Sequence, residues 1–75
     1  MKNVQISLQM ASQVKEFVAT VQKYDFDIEL KSERYVVDAK SILGIFSLDL
    51  SKPLTVEIHS DNCNELLNEL KNFEI

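Results

Sequence analysis

Cysteine, proline, glycine and histidine each occur once in the 75 residues, and each scarcity excludes something. With Cys63 as the sole cysteine no internal disulfide can form, so a reducing cytoplasm is the expected setting. With Gly44 as the sole glycine there is no glycine-rich loop to cradle a phosphate. Too little proline and glycine is present for a disordered or collagen-like chain. No apolar run approaches the roughly 20 residues that cross a bilayer, and no basic segment followed by an apolar one opens the chain as a secretory signal would. Positive charge is also scarce: eight basic against twelve acidic side chains leave a net charge of -4. That balance disfavours a nucleic-acid backbone or an anionic membrane as partner.

What remains is 45% hydrophobic and 27% charged, the composition of a compact globular protein. The length allows one domain, residues 1–75, and a domain this small buries only about 60% of the surface its unfolded chain exposes. In the opening "KNVQISLQ", Val4, Ile6 and Leu8 alternate with polar residues as in a strand with one buried face. From Ala11 to Lys23 the spacing becomes helical through Val14, Phe17, Val18 and Val21, with Ser12 as the expected N-cap. "DFDIELKS" and "YVVD", separated by a polar turn, read as a hairpin. A short helix from Ser41 to about Leu48 follows, then a strand, "LTVEIHS", and a last helix through Cys63, Leu66, Leu67, Leu70 and Phe73, with Asp61 as its expected cap. Four strands with one buried face each imply an α+β open-faced β-sandwich: a four-stranded, mostly antiparallel sheet covered on one face by three helices.

The short helix raises a question of its own. At 100° per residue, Ile42, Ile45 and Leu48 gather on one side of "KSILGIFSLDL", while Leu43 and Phe46 point away. Either this small domain buries both faces, or the second face awaits a partner.

"KYDFDIEL" followed by "DAKSILGIFSL" resembles HPr, the histidine-containing phosphocarrier of the bacterial sugar phosphotransferase system. The likeness is continuous from about Phe17 to Leu50, and "KSILGIFSL" is its most specific part, since the family carries Lys-Ser-Ile-Met-Gly-Val-Met-Ser-Leu or close variants there. The resemblance implies that the residues matching Leu43 and Phe46 form an exposed docking surface for enzyme I, sugar-specific acceptor proteins and regulators. It also implies a phosphorylatable histidine at the start of the first helix, within Gly-Leu-His-Ala-Arg-Pro-Ala. Here that segment reads "LQMASQV", with Met10 at the histidine position and Ser12 at the arginine position. A thioether cannot form a stable phosphoryl adduct under mild conditions, so Met10 is expected only as an apolar contact.

His59 is the sole histidine, on the solvent side of the fourth strand, where it is expected to be an ordinary surface histidine and not a metal ligand. Ser41 has two readings. It is a preferred N-cap, worth about 1 kcal/mol. In many Gram-positive HPr proteins the matching serine is also phosphorylated by an ATP-dependent kinase, which makes Ser41 a candidate regulatory phosphosite. The carboxylates Asp25, Asp27 and Glu29, and Glu65, Glu69 and Glu74, read as solvated surfaces, and Cys63 as core.

The expectation is therefore a cytoplasmic HPr-like protein, not an enzyme, without cofactor or metal. It docks protein partners (phosphotransferase-system proteins, an HPr kinase or a transcriptional regulator) through Met10, Leu43 and Phe46, with Ser41 as a regulatory site. The rival expectations are a homo-oligomeric structural or interaction protein and a phosphocarrier using a non-standard residue.

Overall fold

A computed structural model describes residues 2–74. The strands are β1 (Lys2–Ile6), β2 (Ile28–Ser32), β3 (Tyr35–Asp38) and β4 (Leu54–Ile58); the helices are α1 (Ala11–Val21), α2 (Ile42–Phe46) and α3 (Asn64–Leu70). The strands form one sheet in the order β1-β4-β2-β3, with every neighbouring pair antiparallel. The open-faced sandwich expected from the alternation is present.

Alternation decides which sheet face is covered. Ile28, Leu30, Leu54, Val56 and Ile58 are buried, and they pack with Val14, Phe17 and Val21 of α1, Ile45 of α2 and Leu66 and Leu70 of α3 in one core. Glu29, Lys31, Thr55 and Glu57 lie between them in sequence and so occupy the opposite, open face. Beyond α3, the Phe73 ring meets Phe17 edge-on at 5.8 Å, and the Ser7 N–H donates to the Phe73 carbonyl at 2.9 Å, which ties the last turn back to the end of β1.

Both expected helix caps are displaced. Met10, not Ser12, is the N-cap of α1, and its side chain makes no capping hydrogen bond. The cause is Gln13: its side-chain carbonyl accepts from the N–H groups of Gln9 and Met10 at 2.9 and 3.0 Å, one half of a capping box, so the helix starts ahead of Ser12. In α3 the N-cap is Cys63 rather than Asp61. Cys63 is buried in the core with Leu66 and Leu70 and its carbonyl accepts from the Leu67 N–H at 2.9 Å, while Asn62 N–H donates to Ser60 Oγ at 3.1 Å in the preceding turn. β1 ends at Ile6, so Leu8 joins the core from the connecting loop, and α1 stops at Val21 short of Lys23.

The hairpin contains no glycine, and Glu33 takes the left-handed conformation there with φ 55°. For an L-residue this costs about 1–2 kcal/mol. Glu69 is more engaged than a solvated surface carboxylate. The Tyr24 hydroxyl donates to it at 2.6 Å, and this bond, aided by burial, pushes the Tyr24 pKa from 10.0 up to about 12. The Lys23 ammonium, followed by the Tyr24 hydroxyl, holds Glu69 below the usual carboxylate range.

Candidate functional site

The approach to α2 is fixed by charge and backbone together. Lys40 sends its ammonium to the carbonyls of Tyr24 and Phe26 at 2.6 and 3.0 Å, and its N–H to Asp38 Oδ1 at 2.9 Å. The next residue is thereby placed. Ser41 is exposed, with an extended backbone, and its Oγ accepts from the Gly44 N–H at 3.2 Å as the N-cap of α2. The capping reading of Ser41 is thus realised. Gly44 is needed for a second reason: a Cβ there would meet Ser41 Oγ at 3.2 Å and Val37 Cβ at 3.3 Å, so a side chain would crowd both the cap and the seat of α2 on β3.

On α2 itself the two apolar faces separate. Ile45 is fully enclosed, and Leu48 just beyond the helix is also buried. Leu43 is 81% exposed and Phe46 43% exposed. Of the two readings open from the helical spacing, burial of both faces is therefore excluded. The helix packs against α1 and β3.

Met10 stands on a different element, the start of α1, and is 62% exposed. Its N–H goes to Gln13, and no titratable side chain occupies the positions from Gln9 to Val14. The structure groups Ser41, Leu43 and Phe46 on one helix, with Met10 on the neighbouring one.

His59, just past the end of β4, is exposed on the sheet's open face, where its Nε2 pairs with Glu29 Oε1 at 2.8 Å. The His59 backbone N–H donates to the Asp27 carbonyl at 3.0 Å. Sequence reasoning missed this grouping: Glu29 is 30 residues away along the chain, and only the β2–β4 register brings it close.

A small antiparallel sheet with helices on one face, carrying a serine-capped short helix with exposed apolar residues, defines an HPr-like phosphocarrier fold. The family described as "PTS HPr component phosphorylation site" matches residues 9–73, and the chain belongs to it. Among solved structures, HPr-C-His from Thermoanaerobacter tengcongensis is 29% identical with a TM-score of 0.80, the match covering 96% of this chain and 89% of that one. The phosphocarrier protein HPr from Bacillus anthracis is 28% identical with a TM-score of 0.74, the match covering 99% of this chain and 94% of that one. HPr proteins are phosphocarriers that work with other phosphotransferase-system proteins rather than enzymes in the usual sense. Among the described residues no helix is long and apolar enough to cross a membrane.

Proposed function

We propose that this chain is an HPr-family docking module that does not carry phosphate on histidine. The observation that carries this reading is the placement of its one histidine. His59 pairs with Glu29 on the sheet's open face, whereas the start of α1, where the family resemblance locates the phosphorylated histidine, presents the Met10 thioether. A phosphoryl acceptor at a helix N-terminus needs a nucleophilic nitrogen among free N–H groups. A thioether supplies none.

Docking is the part of the family's role that these residues support. Leu43 and Phe46 expose apolar surface on a helix whose other side is locked into the core, and Met10 adds a third exposed apolar side chain. A cytoplasmic phosphotransferase-system protein, with its own apolar site for HPr, is the partner we assign. Ser41 then acts as the control point. A phosphate there adds a charge of about -1.5 to -2 beside Leu43, at a helix N-terminus that tolerates an anion, and alters docking without unfolding the helix.

The direct test is a binding assay with phosphotransferase-system proteins, comparing the native chain with Leu43→Asp and Phe46→Asp. Loss of binding in variants that keep the native circular dichroism spectrum supports the reading. Undiminished binding overturns it, and a mass that rises with concentration in light scattering transfers the apolar face to self-association.

A further inference from the structure

The open face of the sheet, turned away from α2, carries a second feature. Asn3 pairs with Glu57, Glu57 with Glu29, and Glu29 with Asp38, so one row crosses all four strands and holds three carboxylates in succession. Like charges directly opposite each other destabilise a sheet. Glu29 and Glu57 are such a pair, and His59, two residues beyond Glu57, falls on the same face. One ligand atom from each of Glu29, Glu57 and His59 lies within 4.8 Å of the other two.

The geometry points to a divalent-cation site formed by Glu29, Glu57 and His59, suited to a borderline ion such as zinc. One imidazole and two carboxylates make a mixed nitrogen and oxygen donor set of the kind zinc takes, with a water completing four-coordination. A depression of about 410 Å³ lined by Asp27, Glu29, Val36, Asp38, Lys40 and His59 adjoins the group and leaves room for that water. The backbone supports the arrangement: the β2–β4 register fixes the two glutamates opposite each other, and the bond from His59 N–H to the Asp27 carbonyl anchors the histidine. In the structure Glu57 is paired with the Lys31 ammonium at 2.6 Å and Glu29 lies in hydrogen-bond contact with His59 Nε2 at 2.8 Å. A cation held between them replaces both arrangements and offsets the repulsion of the glutamate pair. Lys31 is the competitor.

The test is a calorimetric titration of the full chain with zinc chloride at neutral pH in a non-chelating buffer, read beside backbone NMR spectra. One zinc per chain is expected, with shifts centred on residues 27–31 and 56–60. His59→Ala and Glu29→Gln should each weaken binding at least about tenfold, the lower end of what loss of an outer-shell partner alone costs a metal site. Cys63→Ser should bind as the native chain does. Lys31→Gln should bind more tightly, and it keeps the proposal testable should a loss variant fail to fold. Absence of saturable one-to-one binding overturns the site, as does binding that survives in both loss variants or disappears with Cys63→Ser. No phosphotransferase-system partner enters the assay, so its outcome is separate from the docking reading.

Discussion

Ile45 and Leu43 stand two residues apart on the same five-residue helix, yet Ile45 is wholly enclosed and Leu43 is 81% exposed. The inner face of α2 is explained by folding: Ile45 belongs to the one core that also holds Phe17 and Leu30, and Gly44 keeps the helix close to Val37. The outer face has no such explanation. Leu43, 81% exposed, buries little of its side chain in the domain, and under the proposed docking role a partner covers it together with Phe46. Where one helix is both a core element and a surface of this kind, packing holds the surface rigid, so a partner loses little entropy in ordering it.

Substitutions should separate the two faces. The largest effect is expected at the inner one: Ile45→Ala removes a fully buried branched side chain and should lower unfolding free energy by about 2–5 kcal/mol, read by urea denaturation. Leu43→Asp on the outer face should shift stability by no more than about 0.5 kcal/mol. It should nevertheless weaken partner binding by about 2 kcal/mol or more if Leu43 is an anchor of the interface. Between the faces, Ser41→Ala should cost about 1 kcal/mol of stability through loss of the cap to Gly44. The same variant should abolish any mass gain seen on incubation with HPr kinase and ATP, a result that a purely capping serine does not produce.

The smallest effect is expected away from α2, in the half-exposed network of Lys23, Tyr24 and Glu69, where solvent screens the charges. Tyr24 is held protonated in the fold, so the stability it contributes is fully present below its ordinary pKa of 10.0 and is lost as pH rises toward about 12. Glu69 is shifted the other way: its contribution is present above the ordinary carboxylate range and is lost as pH falls through its depressed value. Tyr24→Phe should therefore flatten the alkaline limb of a thermal stability profile, while leaving the α2 comparison unchanged.

Much of this was legible in the residues because it is local. Period-two alternation marks β1, β2 and β4, the polar turn before Tyr35 marks β3 as the partner of β2, and the i, i+3, i+4 spacing of Val14, Phe17 and Val18 marks α1. The division of α2 into Ile45 and Leu43 faces follows from helical geometry alone. Helix starts were less legible, because Ser12 and Asp61 are favoured capping types but the Gln13 side chain and the Cys63 carbonyl hold the observed starts. The strand order and the meeting of Glu29, Glu57 and His59 were not legible. Both depend on the pairing of β2 with β4 across more than twenty residues of intervening chain, which no short-range pattern encodes.

A docking scaffold that persists without histidine phosphotransfer should be inert toward enzyme I and phosphoenolpyruvate. Intact mass after that incubation, beside a histidine-bearing HPr as control, decides it. The mass of this chain should stay unchanged while the control gains one phosphate. An acid-labile phosphate on this chain, lost again in His59→Ala, would make it a phosphocarrier and overturn the proposed function.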